Sequence, residues 1–155
     1  MTLSVGDPAP DFALEGDRGE VKLAAFRGRP VVVYFYPKDD TSGCTKEAIA
    51  FTGLLPEFER LDVTVIGVSP DAPKAHEKFR AKHALGVVLA SDPDKTVLEA
   101  FGVWVEKTLY GRKYMGVERA TFLVDAEGRI ARIWRKVKVA GHAEAVLEAA
   151  RALVA

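Results

Sequence analysis

Six consecutive residues, Val31-Val32-Val33-Tyr34-Phe35-Tyr36, form an almost wholly apolar run of β-branched and aromatic side chains closed by Pro37. Strand side chains alternate between two faces, so a run apolar at every position predicts a strand buried on both sides, in a covered sheet. Pro37 ends it, because proline cannot donate to a sheet ladder. Lys38 to Gly43 is polar turn material, and a helix is predicted from about Ser42 to Leu61. Val63 to Val68 reads as a second buried strand. Ser69-Pro70-Asp71-Ala72-Pro73 then opens a helix over roughly Pro73 to His83, since proline suits a first turn whose N–H groups lack partners. Another helix is predicted from Asp92-Pro93-Asp94 through Phe101. Ala120 to Asp125 and Arg129 to Lys138 flank Ala126-Glu127-Gly128 as a hairpin, and a helix from His142 to Leu153 closes the chain. Strands alternating with helices early and a hairpin late predict an α/β chain with a mixed central sheet, its early strands parallel and its faces both covered by helices. No repeat or linker interrupts residues 1–155, which read as a single domain. At 155 residues and 48% hydrophobic content, such a domain can bury a core without disulfides or structural metal.

Charge narrows the functional classes. Lys plus Arg and Asp plus Glu are equal at 22 each, so no net field favours nucleic acid or an anionic membrane. No apolar run approaches the roughly 20 residues of a membrane helix. The start, Met1-Thr2-Leu3-Ser4, lacks the basic and apolar regions of a signal peptide, which predicts a soluble, cytoplasmic protein. The chain contains no Asn and no Gln while keeping dense Arg, Lys and Glu, a bias that suggests a thermophilic source. One cysteine, Cys44, excludes an internal disulfide, and no Cys-x-x-Cys pair or Cys/His cluster with metal spacing accompanies it. No metal or cofactor is therefore expected, and any chemistry of Cys44 is that of a thiol.

The thiol lies within Tyr36-Pro37-Lys38-Asp39-Asp40-Thr41-Ser42-Gly43-Cys44-Thr45-Lys46-Glu47, at a strand-to-helix junction. With Thr41 as helix N-cap, Cys44 falls at the third helical position, where unpaired N–H groups and the positive dipole end favour a thiolate over a thiol. Gly43 permits close approach of a small ligand, and the free N–H groups of the first turn could hold a polar ligand oxygen. The Thr41 hydroxyl can hydrogen-bond to the thiolate or to that oxygen. Asp39 and Asp40 oppose ionisation of the sulfur unless they face solvent or cap the helix, so a cationic partner is required.

Pro-x-x-x-Thr-x-x-Cys, here Pro37, Thr41 and Cys44, resembles the peroxidatic loop of the peroxiredoxins. The resemblance covers nearly the whole chain. Val5-Gly6-Asp7-Pro8-Ala9-Pro10-Asp11-Phe12 resembles their amino-terminal signature, and Val117-Glu118-Arg119-Ala120-Thr121-Phe122 the strand that presents their arginine. Phe35-Tyr36-Pro37-Lys38-Asp39 and Trp134-Arg135-Lys136-Val137-Lys138 point to the bacterioferritin comigratory protein (PrxQ) branch. The resemblance implies a thioredoxin-like fold, a peroxidase of the thioredoxin-dependent type, and Arg119 beside Cys44 as the missing positive charge. It also implies that Pro37 shields the sulfur, that hydroperoxides are the substrates, and that the protein is a monomer or weak homodimer. Many relatives in that branch carry a resolving cysteine in the helix after the first; here that position is Ile49, so a 1-Cys mechanism is implied. Its sulfenic acid then needs an external reductant: a thioredoxin-like or glutaredoxin-like protein, or a small thiol.

Other readings compete residue by residue. A lone cysteine is commonly an inert buried hydrophobe, but a thiol in the first turn after a polar loop is seldom sealed in a core. Glu47 suits both orienting Arg119 and facing solvent, and stays outside the catalytic set. His76, His83 and His142 sit in charged or helix-end contexts and are expected to be solvated or capping. Arg135, Lys136 and Lys138 read as the wet face of a hairpin strand. A thiol-disulfide oxidoreductase would want Cys-x-x-Cys where this chain has Thr41-Ser42-Gly43-Cys44. A redox sensor or interaction protein that uses Cys44 oxidation as a switch without rapid turnover stays open as the alternative.

Overall fold

The structure, a computed structural model, describes residues 2–155; Met1, part of the amino-terminal stretch read above, lies outside the described residues. Among the described residues, nine strands and four α-helices follow one another as β1 (Ala13–Gly16), β2 (Gly19–Lys22), β3 (Val31–Phe35), α1 (Ser42–Arg60), β4 (Thr64–Ser69), α2 (Pro73–His83), β5 (Val88–Ser91), α3 (Thr96–Ala100), β6 (Trp104–Leu109), β7 (Arg112–Val117), β8 (Ala120–Val124), β9 (Ile130–Trp134) and α4 (His142–Val154), with a short 3-10 turn at Leu23–Phe26. Seven of the strands form one sheet in the order β2-β1-β5-β4-β3-β8-β9, while β6 and β7 make a separate hairpin. β3, β4 and β5 run parallel, and β8 returns antiparallel on β3. This is the mixed sheet expected from the sequence.

The apolar run behaves as its pattern requires. Val31, Val33 and Phe35 point into one core with Phe101 and Phe122, whereas Val32, Tyr34 and Tyr36 point into the other, against Phe51 and Phe58 of α1, Phe79 of α2 and Val146 of α4. Residues 32 to 35 are all 0% exposed. Complete burial of a Val or Phe side chain stabilises by about 1.5–3 kcal/mol, so uncovering either face would forfeit several such contributions. α1 continues through Pro56, although an interior proline removes a helical hydrogen bond. Phe51 and Phe58, fully buried on either side of it, hold both halves of the helix to the same core.

Four regions differ from the sequence reading. The helix expected from Asp92 begins only at Thr96, because Lys95 adopts a left-handed φ of 65° and the preceding Val88–Ser91 pairs with β4 as a strand. The last hairpin strand stops at Trp134 rather than Lys138: Lys136 turns to φ 47°, and the Val137 N–H bonds to the Arg119 carbonyl at 3.0 Å instead of extending the ladder. The β6–β7 hairpin escaped notice because its charged, largely exposed strands show no apolar alternation, although Tyr110-Gly111, with φ 51° and 76°, makes the two-residue turn that such hairpins favour. β1 and β2, at four residues each, are too short to register as a pattern. Among the described residues, no helix is long and apolar enough to cross a membrane.

Candidate active site

The sheet register sets the stage. Phe35 of β3 pairs with Ala120 of β8, so Arg119 arrives beside the end of β3 from which the cysteine loop departs. Thr41 is the helix N-cap by position, with extended backbone, and the first helical hydrogen bond runs from Thr45 N–H to Thr41 C=O at 2.8 Å. Ser42, Gly43 and Cys44 therefore occupy the first three helical positions, whose N–H groups have no intrahelical partner. Arg119 Nη2 donates to Cys44 Sγ at 3.3 Å, and Nη1 donates to Glu47 Oε1 at 2.6 Å. One guanidinium thus bridges two residues that are a turn apart on α1, using the fixed fork that lysine lacks.

Glu47 is the residue that sequence reasoning left aside. It is 1% exposed, and its second oxygen, Oε2, finds no partner among the described residues. Burial pushes its carboxyl up to about 7, against the opposing pull of the Arg119 charge and hydrogen bond. Arg119 experiences the reverse balance: burial disfavours its charge, but Glu47 and Cys44 outweigh it and hold the guanidinium above its ordinary range. The only sequence signal was the three-residue spacing from Cys44, which puts both side chains on one face of the helix.

Gly43 stands where the guanidinium passes. A Cβ at this position would meet Arg119 Nη2 at 3.2 Å, so the close approach that glycine permits is made here by Arg119. Gly43→Ala should slow peroxide reduction about tenfold by pushing the guanidinium off the sulfur, with only a small change in the thermal midpoint, since the better helix propensity of alanine opposes the strain on Arg119. Stopped-flow oxidation of the thiol beside a melting curve checks both; a wild-type rate in this variant overturns the account.

Three expectations need correction. Cys44 is 1% exposed, so its sulfur is not openly accessible but is covered within the α1 core. The Thr41 hydroxyl neither caps the helix nor reaches the sulfur as a donor; its proton goes to the Lys38 carbonyl at 2.8 Å. Two histidines are buried rather than solvated: His76 is 0% and His142 6% exposed, whereas His83 is half-buried and bonded to Asp40. Helical spacing explains His76, which shares the buried face of α2 with Phe79 and Arg80. His142 bonds to Thr121 at 2.8 Å, and burial, with the Arg119 charge second, lowers its imidazole to about 4, so it is neutral at physiological pH. Pro37 is half-buried just beyond β3. The carboxylates that threatened the thiolate are engaged elsewhere: Asp39 by Tyr36 and His76, and Asp40 by Lys82 and His83. A cavity of about 450 Å³ between the β6–β7 hairpin and the Lys136–Val137 segment has Arg119 in its wall.

The arrangement is thus a lone thiol at a helix start, held by an arginine that a buried glutamate orients. The AhpC/TSA family model matches residues 5–133. The chain belongs to the AhpC/TSA family. Within it, the Bcp/PrxQ peroxiredoxins are the relatives. Peroxiredoxin Bcp of Bacillus subtilis is 49% identical over 149 residues, spanning 96% of this chain and 95% of that protein. Peroxiredoxin Bcp of Xanthomonas campestris is 48% identical over 133 residues, covering 86% and 83%. The solved structure of the X. campestris bacterioferritin comigratory protein, a study of its alkyl peroxide reduction activity, superposes with a TM-score of 0.89 at 45% identity over 93% of this chain and 92% of that one. A cysteine-to-serine variant of Xylella fastidiosa PrxQ gives 0.92 at 39% identity, covering 98% of each chain. The fold of this AhpC/TSA protein is accordingly the thioredoxin-like fold of the peroxiredoxins.

Proposed function

We propose that this single-domain peroxiredoxin reduces hydroperoxides by a 1-Cys mechanism, with Cys44 as the attacking group and Thr41, Gly43, Arg119 and Pro37 as its surroundings. The observation that carries the reading is the 3.3 Å contact between Arg119 Nη2 and Cys44 Sγ at the first turn of α1. A positive charge at that distance from the reacting sulfur is in place to stabilise negative charge on the departing oxygen. The thiolate attacks one oxygen of R–O–O–H. An S–O bond forms as the O–O bond breaks, and the released RO⁻ takes up a proton to leave as alcohol, or as water from H₂O₂. Cysteine is oxidised by two electrons to sulfenic acid, and the peroxide is reduced by the same two. Thr41 has already given its only proton to Lys38, so its oxygen serves as an acceptor for the peroxide O–H.

The chain has a single cysteine. An external thiol must therefore condense with the sulfenic acid, expelling water and forming a mixed disulfide, which a second thiol then reduces. Because Cys44 is 1% exposed, that exchange with a bulkier thiol requires the first turn of α1 to swing open. The reductant is a thioredoxin-like or glutaredoxin-like protein or a small thiol, the site of action the cytoplasm, and the working form a monomer or weak dimer.

Steady-state peroxide consumption with each candidate reductant tests the proposal. Many equivalents of peroxide should disappear per chain with at least one of them, and H₂O₂ alone should leave a sulfenic acid at Cys44 that a dimedone-type trap labels. A single slow equivalent with every reductant would identify a sensor and overturn the peroxidase reading.

A further inference from the structure

Asp39 lies five residues before Cys44 in a polar loop, yet it is buried and fully engaged. Its Oδ1 accepts from the Tyr36 hydroxyl at 2.6 Å, and its Oδ2 meets His76 Nδ1 at 2.6 Å. His76 Nε2 faces the Ala90 carbonyl at 3.1 Å. Both ring nitrogens of His76 are thus held between the Asp39 carboxyl and the Ala90 carbonyl, which fixes the plane of the ring. The Asp39 backbone N–H donates to Asp71 Oδ2 at 2.8 Å, and the Ser69 hydroxyl donates to the same oxygen at 2.7 Å. Asp39, Asp71 and His76 offer ligand atoms within 4.8 Å of one another. That spacing would suit a cation, but Asp39 Oδ2 and both His76 nitrogens are already engaged with protein groups.

The consequence appears on the peptide unit joining Lys38 to Asp39. Its N–H is gripped by Asp71, and its C=O takes the Thr41 hydroxyl proton at 2.8 Å. A peptide unit is planar, so fixing the direction of its N–H fixes that of its C=O. The direction of that carbonyl decides which way the Thr41 hydroxyl proton points, and hence where the lone pairs of the Thr41 oxygen are aimed. We propose that Asp71, backed by Ser69 and by the Asp39–His76 pair, is a positioning residue for the peroxide reaction: it orients the Lys38–Asp39 peptide and, through it, the Thr41 oxygen that receives the peroxide. The inference rests on the peroxidase reading above. Asp71 comes from the turn between β4 and α2 and reaches Thr41 only through that peptide, so it touches neither the sulfur nor the substrate in this scheme.

Two reactions of the same sulfur separate positioning from general support. Oxidation by H₂O₂ uses Thr41, whereas alkylation by iodoacetamide presents no peroxide oxygen for Thr41 to hold. Asp71→Ala should slow oxidation by on the order of 10²-fold, the cost of a misplaced group, with alkylation at the wild-type rate. Asp71→Asn keeps an acceptor oxygen for both donors and should restore most of the loss. The Thr41→Val/Asp71→Ala double variant should be no slower than Thr41→Val, since both act on one interaction. Should Asp71→Ala not fold, Ser69→Ala removes one of the two bonds on Asp71 Oδ2 and should give a smaller loss confined to oxidation. Equal slowing of oxidation and alkylation, an unchanged oxidation rate, or full additivity with Thr41→Val overturns the proposal. A wild-type protein inert to peroxide sinks the function itself; a reactive one with these results sinks only the role of Asp71.

Discussion

Cys44→Ser is expected to leave no peroxide turnover above the uncatalysed background. A serine hydroxyl is not ionised at neutral pH, and an oxygen in place of sulfur has no sulfenic acid to form, so both the nucleophile and the intermediate vanish together. Nothing else in the chain can substitute, because Cys44 is its single cysteine. The fold should persist. The side chain is 1% exposed, but Arg119 remains as a donor to the new hydroxyl, and the volume change is small. A melting point within about 5 °C of the wild type is expected, together with loss of dimedone labelling. Turnover at the wild-type level in a folded Cys44→Ser protein would end the assignment.

Arg119→Met should be the second most damaging change, and it acts on two properties. Losing a charged donor aimed at developing negative charge typically costs 10²–10³-fold in rate, and a comparable loss of peroxide reactivity is expected here at about that scale. The same change strands Glu47. Its Oε1 loses the 2.6 Å bond, and Oε2 already has no partner among the described residues, so a buried carboxyl is left unpaired. Breaking such a pair costs about 3 kcal/mol or more, or roughly 6–12 °C in melting point for a chain of this size. The pH dependence has a definite sign. Glu47 titrates near 7 in the folded protein, above its ordinary value of 4.5, mainly because burial disfavours the ion. A raised carboxyl contributes stability at low pH that is lost as pH rises through the folded value. Without Arg119 to favour the ion, that loss deepens, so the variant should be closest to wild-type stability near pH 5 and furthest from it near pH 8. Adding Glu47→Gln should recover much of the stability and none of the activity. An Arg119→Met protein that reacts with peroxide at the wild-type rate would remove Arg119 from the mechanism, and one whose stability deficit shrinks with rising pH would refute the buried-carboxyl account.

The legible part of the site is the local part. Strand, proline, polar loop and helix are consecutive in the chain, so the residue types of Tyr36 to Glu47 alone predict a thiol at the third position of a helix, where α1 holds Cys44. Apolar runs likewise announced β3 and β4, and the Ser69–Pro73 turn with its proline announced the start of α2. The short β1 and β2 and the charged β6–β7 hairpin left no such signal.

What lies across the fold was invisible to spacing. Arg119 is 75 residues from Cys44, and 72 from Glu47; its approach depends on β8 pairing with β3 in the register that sets Ala120 against Phe35. A run apolar on both faces specifies that a strand is central but not which strand flanks it or in what register, so only the resemblance to peroxiredoxins could name Arg119 in advance. His76 meets Asp39 across 37 residues, and Asp71 meets it across 32. The charged neighbourhood of His76 read as solvated because burial of a polar side chain depends on a partner the local sequence does not contain. The sequence by itself determined the chemistry available, one thiol at one helix start with no internal resolving partner. The tertiary structure alone decided which charges surround that thiol and which are drawn away from it, since hydrogen bonds and ion pairs act over a few ångströms and only the packed sheet brings distant residues that close.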